Sequence, residues 1–271
     1  MRSTPSQRLL ATEQSLDDIA DEIASLHYRA PRDEVMLQRY KQAAEAMLVR
    51  CPAKAHAVLA MIATLRRQEA LMRQHFRTAR MLAPLDAVTR VNHVAALQEF
   101  ACLSEAVDVA LRNCQELPHH GAISQQALEA AVFAGRLQLA ANRLLADSSG
   151  YLRRVINGSQ QILNCVKFLS DHDITDQHTE SLQQQAMLPL RQAQMAVPEV
   201  SLRLVGHHPT QQVRIQFLLP ASATDVAALN QQLQTDLSAV TAAVTAAVAT
   251  RSLLSWVIVE YCVLEESPCP F

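Results

Sequence analysis

Apolar residues return every three or four positions along most of this chain, the spacing of one buried stripe on an α-helix. Leu9, Leu16, Ile19, Ile23 and Leu26 form the first stripe, opening near Thr4-Pro5, where the hydroxyl can cap and proline suits the first helical position. "RAPRDE" breaks it. A second helix carries Met36, Tyr40, Ala43, Met47 and Leu48 and ends at "RCP". Pro52 starts a third, with Val58, Ile62, Leu65, Met72, Phe76 and Ala79 inward, predicted to run unbroken to about Leu82. A fourth is predicted from about Asp86 to Glu116, after Pro84. Ser124 is the expected cap of a fifth holding Leu128, Val132, Leu139 and Leu145. "YLRRVINGSQQILNCVKFL" carries Asn157-Gly158, a strong hairpin signal, yet helical spacing continues through it and favours helix. A last helix, with Leu182, Met187, Leu190 and Met195, follows "SDHDITD" and is expected to bend or break near Pro189.

The period changes after Pro198. "VSLRLVG" and "VRIQFLL" alternate with period two around "HHPTQQ", as a hairpin does. A long Ala/Val-rich helix follows from Thr224 to Thr250, and "LLSWVIVEYCVL" reads as a strand. The fold class is therefore mainly α: an antiparallel helical bundle over residues 1–198, followed by a small C-terminal β-β-α-β (α+β) unit over residues 199–271. A crossover through the helix makes the last two strands parallel. No internal repeat of fixed period is visible, and the tetratricopeptide pattern is absent. The apolar run from Leu237 to Leu264 contains Arg251 and Glu260, both costly at bilayer depth, so it divides into helix and strand and no membrane association is expected.

Trp256 and Tyr261 are separated by an odd number and fall on opposite faces of a regular strand. One of them must then point away from the unit's own helix. Small residues along that helix (Ala242, Ala243, Ala246, Ala247, Ala249) give a modest core. Together these features make the C-terminal unit an expected assembly surface and the protein an expected homo-oligomer, at least a dimer.

Composition narrows the function classes. Hydrophobic residues are 49% and charged residues 18%, which is globular rather than disordered, and the net charge of −2 provides no global field for nucleic acid. The polar beginning "MRSTPSQRLLATEQSLDD" lacks an apolar signal core, so a cytoplasmic location is expected. Six cysteines (Cys51, Cys102, Cys114, Cys165, Cys262 and Cys269) have no metal or redox spacing and read as buried free thiols.

Three clusters could carry chemistry. Asp171, His172, Asp173 and His178, with Asp176 and Glu180 nearby, are metal-ligand types, but their spacing fits a helix N-terminus better than a metal site. His119-His120 and His207-His208 lie beside prolines in loops; Glu116 precedes His119 by three, but Pro118 prevents a shared helical turn. Arg66, Arg73, Arg77 and Arg80 form a basic stripe on one helix face, and Arg50 to Arg90 holds eight Lys/Arg against two Asp/Glu. That stripe either meets an acidic partner or phosphates, or pairs with the acidic first helix through Asp17, Asp18, Asp21 and Glu22; the second reading is preferred. Nucleophile elbows, phosphate loops and dinucleotide fingerprints are absent, and the five glycines are scattered. The expectation is a non-enzymatic protein-interaction module with a protein partner and no cofactor. The alternatives are an enzyme with a His/Asp/Glu site in the helical part, and nucleic-acid binding through the arginine face, for which the missing aromatics argue poorly.

Overall fold

A computed structural model describes residues 16–24, 34–156, 158–193, 195, 199–207, 210–219, 221–243 and 255–263. The chain is mainly helical with a small mixed sheet at its C-terminal side, as the change of period indicates. Residues 16–24 form α1, followed by α2 (Glu34–Ala46), α3 (Pro52–Leu65), α4 (Glu69–Leu82), α5 (Ala87–Glu99) and α6 (Leu103–Glu116). Next come α7 (Gly121–Phe133), α8 (Leu137–Ala146), α9 (Tyr151–Val155), α10 (Ser159–Ser170) and α11 (Asp176–Gln192).

The long helices expected over Pro52–Leu82, Asp86–Glu116 and Ser124–Leu145 are each two antiparallel helices. A single left-handed residue makes each break: Arg67 at φ 56°, Ala101 at φ 54° and Gly135 at φ 77°. At every break the next residue's N–H reaches back to a carbonyl five residues earlier. These bonds are Gln68 to Ala63 at 2.9 Å, Cys102 to Leu97 at 2.9 Å and Arg136 to Ala131 at 2.8 Å. That pattern satisfies the orphan carbonyls of a helix end and reverses the chain. Asp173, at φ 57°, does the same between α10 and α11, with Ile174 N–H bonded to Leu169 O at 2.9 Å.

The breaks are regularly placed. Arg67, Ala101 and Gly135 are successively 34 residues apart, and Pro84 and Pro118, between hairpins, keep the same interval. A 34-residue helix–turn–helix unit has the length of a tetratricopeptide repeat. The expectation of no fixed period is thus corrected at the level of structure. Hairpins α3–α4, α5–α6 and α7–α8 stack in order, each first helix packing on the next, so the helical part grows as a solenoid of antiparallel pairs. Ser124 lies inside α7 and is not its cap, the cap position being His120. Gly158, at φ 78°, starts α10 after the five-residue α9, so the helix does not run straight through this point; Asn157 lies outside the described residues. Pro189 sits inside α11, which continues to Gln192 without interruption.

Polar ties lock successive hairpins. Arg136 reaches Asp108 on α6 at 3.1 Å and Glu180 on α11 at 3.0 Å. The Asp176 carboxylate accepts the N–H groups of Gln138 at 2.6 Å and Leu139 at 3.0 Å, an anion at the N-terminus of α8. Thr179 donates its hydroxyl to Gly135 O.

The sheet has the order β1 (Glu199–Val205), β2 (Gln212–Leu219), β3 (Val257–Val263). β1 and β2 are antiparallel, with Leu202 opposite Ile215, whereas β2 and β3 are parallel, with Ile215 opposite Val259. Between them runs α12 (Ala223–Ala243). Val213, Ile215, Phe217, Val257, Val259 and Tyr261 share one buried face, on which α10, α11 and α12 pack. The alanines beyond Ala243 lie outside the described residues. No helix among the described residues is long and apolar enough to cross a membrane.

Candidate functional site

Hairpin stacking creates a cationic groove that sequence spacing shows only in part. α4 and α6, the second helices of two successive hairpins, form its walls, and α5 contributes the floor. Arg73, Arg77 and Arg80 line it from α4, Arg90 and His93 from α5, and Glu105, Arg112 and Glu116 from α6, around a volume of about 480 Å³. Five arginines face two glutamates, a formal surplus of three positive charges.

Two of the arginines are structural. Arg73 forms a two-pronged pair with Glu105, at 2.6 and 2.9 Å, and bonds Glu69 one turn back at 2.9 Å. These bonds raise the Arg73 pKa and hold the Glu105 carboxyl below its usual range. Arg90 is 2% exposed and serves as a strut. Its Nε donates to Pro84 O at 2.8 Å and its Nη1 to Asn113 Oδ1 at 2.9 Å, and it pairs with Glu116, whose carboxyl is lowered by that bond.

The other three arginines have charge to spare. Arg112 bonds only its own helix, at Asp108 O, and Arg77 and Arg80 make no hydrogen bond or ion pair among the described residues. Burial lowers the Arg80 pKa, and the charges of Arg90 and Arg112 push the same way against Glu116. His93 stacks on Phe76 with centroids 5.0 Å apart, and its Nδ1 is buried without a partner. Burial first, then the field of Arg80, takes its pKa down to about 4. Burial does most to keep this imidazole neutral, and the arginine field that adds to it is the field an incoming anion would meet.

The fourth arginine of the stripe, Arg66, is separated from the others by the turn at Arg67. It pairs with Glu34 and donates to Gln38 at 3.1 Å, both on α2. The preferred pairing of the stripe with the acidic first helix is not what the fold provides. Asp17 of α1 instead meets Lys54 of α3 at 2.8 Å. Arg90, His93, Glu105, Arg112 and Glu116 were not foreseen as one site. Only the 34-residue register brings α6 beside α4.

Residues considered for metal binding hold the α10–α11 turn together. His178 Nδ1 accepts the Thr175 N–H at 3.1 Å in a capping box, the plainer reading of this stretch. His172 bonds Phe168 O at 2.8 Å through Nδ1 and packs against Trp256 at 4.2 Å between centroids. Asp171 caps α10, and Asp173 is the left-handed turn residue. Among the described residues no three His, Cys, Asp or Glu side chains are grouped as metal ligands.

Tyr261 is buried within the chain and Trp256 is half-buried against it, so each aromatic has a contact inside the chain. Trp256 precedes β3 and lies against Phe168 and His172 at the end of α10, so strand alternation does not apply to it. Tyr261 is 2% exposed and donates its hydroxyl to Ala186 O of α11, while its backbone pairs twice with the Asn230 amide at 2.8 Å.

Comparison with protein families, with curated proteins and with solved structures finds no match for this chain.

Proposed function

We propose that this chain is a non-enzymatic interaction module whose stacked hairpins bind an acidic segment of a partner protein in the groove between α4 and α6. One observation carries the reading: Arg77, Arg80 and Arg112 converge there without a direct ion pair to any carboxylate among the described residues, and the two glutamates of the groove are bonded to Arg73 and Arg90. Exposed arginines that face solvent singly are ordinary. Three gathered in a preformed cleft beside a buried neutral histidine repel one another and are relieved by an anion. Guanidinium forks match carboxylates in geometry, which favours Asp and Glu side chains as the bound groups. An acidic protein segment suits the site better than a nucleic acid, because His93 is the only aromatic ring in the lining and it is engaged with Phe76, leaving no platform for bases.

Fluorescence anisotropy with a labelled Asp/Glu-rich nonapeptide, run beside a single-stranded oligonucleotide of similar charge, tests this at several salt concentrations. The peptide is expected to bind, and Arg77→Glu with Arg80→Glu is expected to weaken it more than tenfold without moving the urea midpoint. Tighter binding of the oligonucleotide with a steep salt slope, or equal peptide binding by the charge-reversed protein, refutes the reading.

A further inference from the structure

A second groove is lined by other elements. It is bounded by the free edge of β1 and by the C-terminal half of α7, with α9 and the start of α10 beneath. All seven residues of β1 line it, together with Leu128, Glu129, Val132, Phe133, Val155 and Ile156, around about 640 Å³. β2 covers one edge of β1 only. Every second residue of β1 therefore aims its N–H and C=O into this groove, and among the described residues no other backbone or side chain bonds to them. Such an edge is a template for a further strand, and folds that do not use it protect it with charge, proline or a bulge. β1 has no proline and its register with β2 is regular along all seven pairs; its only charges, Glu199 and Arg203, are both on the outer face of the sheet.

The open edge selects the occupant. An extended segment about 23 Å long would pair along all seven residues of β1, whereas a helix bonds its backbone groups within itself and has none to offer the edge. The floor has the chemistry of an inner sheet face: Val132, Phe133 and Ile156 are only half-buried and Val155 is exposed. They sit where alternate side chains of a fourth strand would point. Glu129 stands exposed on the wall with only the Gln125 amide bonded to it, at 2.9 Å, and Glu199 marks the start of β1. Arg203 is the only opposing charge in the lining, so the groove is acidic on balance.

We propose that this groove binds an extended peptide of a partner protein as a fourth strand on β1, with alternate apolar side chains against Val132, Phe133 and Ile156 and a Lys or Arg beside Glu129. Backbone pairing supplies the affinity and the apolar floor and the acidic wall supply the selectivity. This site prefers basic-apolar sequence and is independent of the arginine groove, which prefers acidic sequence.

The test is selection from a displayed random nonapeptide library on the full chain, with counter-selection on the Val132→Trp protein, which fills the channel. Enriched peptides are expected to alternate apolar residues and carry Lys or Arg. A central proline, which removes a donor, is expected to weaken them more than tenfold, and binding should slow hydrogen exchange of alternate β1 amides at least tenfold. Hydrogen exchange of the unmodified free chain gives a reading that does not depend on the variant folding. Outward amides of β1 as slow as the central amides of β2 mean that the edge is already covered by this chain. That result overturns the proposal, as do binders indifferent to proline, a library that yields none, or protection of β1 that appears only on self-association.

Discussion

Replacing Gly135 with alanine measures how much the hairpin turns contribute. Gly135 sits at φ 77°, and an alanine Cβ there would lie 2.7 Å from Thr179 O, 2.8 Å from its carbonyl carbon and 2.9 Å from Glu180 N. All three are backbone atoms in the first turn of α11, so no side-chain rotation relieves the clash. The left-handed conformation costs alanine about 1–2 kcal/mol, and overpacking against fixed backbone costs about 1–3 kcal/mol more. Reduced freedom of the unfolded chain offsets about 0.4–1 kcal/mol. The net expected loss is about 2–4 kcal/mol, larger if Thr179 also loses its bond to Gly135 O. Ala101, the equivalent residue one hairpin earlier, already carries the left-handed penalty at φ 54°. Ala101→Gly removes that strain, loses some unfolded-state restriction and a half-buried methyl, and should stabilise by up to about 1 kcal/mol. Urea unfolding followed by far-ultraviolet circular dichroism compares the three proteins at matched slopes. A Gly135→Ala protein within about 0.5 kcal/mol of the parent, or an Ala101→Gly protein clearly less stable, would contradict the assignment of these residues as strained repeat turns.

Arg90→Met should cost about 2–4 kcal/mol in the same assay, because it strands Pro84 O and the fully buried Asn113, whereas Arg77→Met should change stability by less than about 0.5 kcal/mol. Acid should weaken the helical part through His56, His75 and His93, whose pKa values burial lowers. The first two face each other with Nδ1 atoms 2.9 Å apart. Since their folded pKa values are lowered, their stabilising effect is complete above the unfolded value of 6.5 and declines below it, for His93 down to about 4. Melting temperature measured from pH 7.5 to 5 should therefore fall, and a flat profile would show that these rings take up protons as readily in the fold as in the unfolded chain. Tyr261→Phe should cost about 1 kcal/mol for its lost bond to Ala186 O; a changed mass by light scattering would instead mark Tyr261 as an assembly contact.

Sequence periodicity reveals what each segment is and says little about where it turns. The C-terminal unit was legible because its period-two runs, its helix and its β-branched last strand are separate textures, and the predicted parallel pair is present. The hairpins were not, since the residues that reverse the chain at 67 and 101 are arginine and alanine, which carry no turn signal. Apolar stripes also continued across each break, because both helices of a hairpin bury the side facing the other. The arginine groove was half visible for the same reason. Arg73, Arg77 and Arg80 share a helix face, while Arg90 and Arg112 join them only through tertiary stacking. His178 of the Asp-rich turn illustrates the converse: a metal-ligand type at a helix start is a capping group.

The one-sided sheet has a consequence for the stack as a whole. Repeat arrays expose an apolar face at each open end and stay monodisperse only if an atypical unit closes that face with a polar exterior. Here α10 and α11 would present such a face, and β2 and β3 bury Val213, Ile215, Phe217, Val259 and Tyr261 against it or against α12. The opposite side of the sheet carries Ser201, Arg203, Arg214, Gln216 and Glu260, the last paired with Arg214 at 3.4 Å and Gln216 at 2.8 Å. The sheet is thus a cover: it closes the array on this side with a mostly polar surface, in which Leu218 and Ile258 are half-buried, instead of with another hairpin.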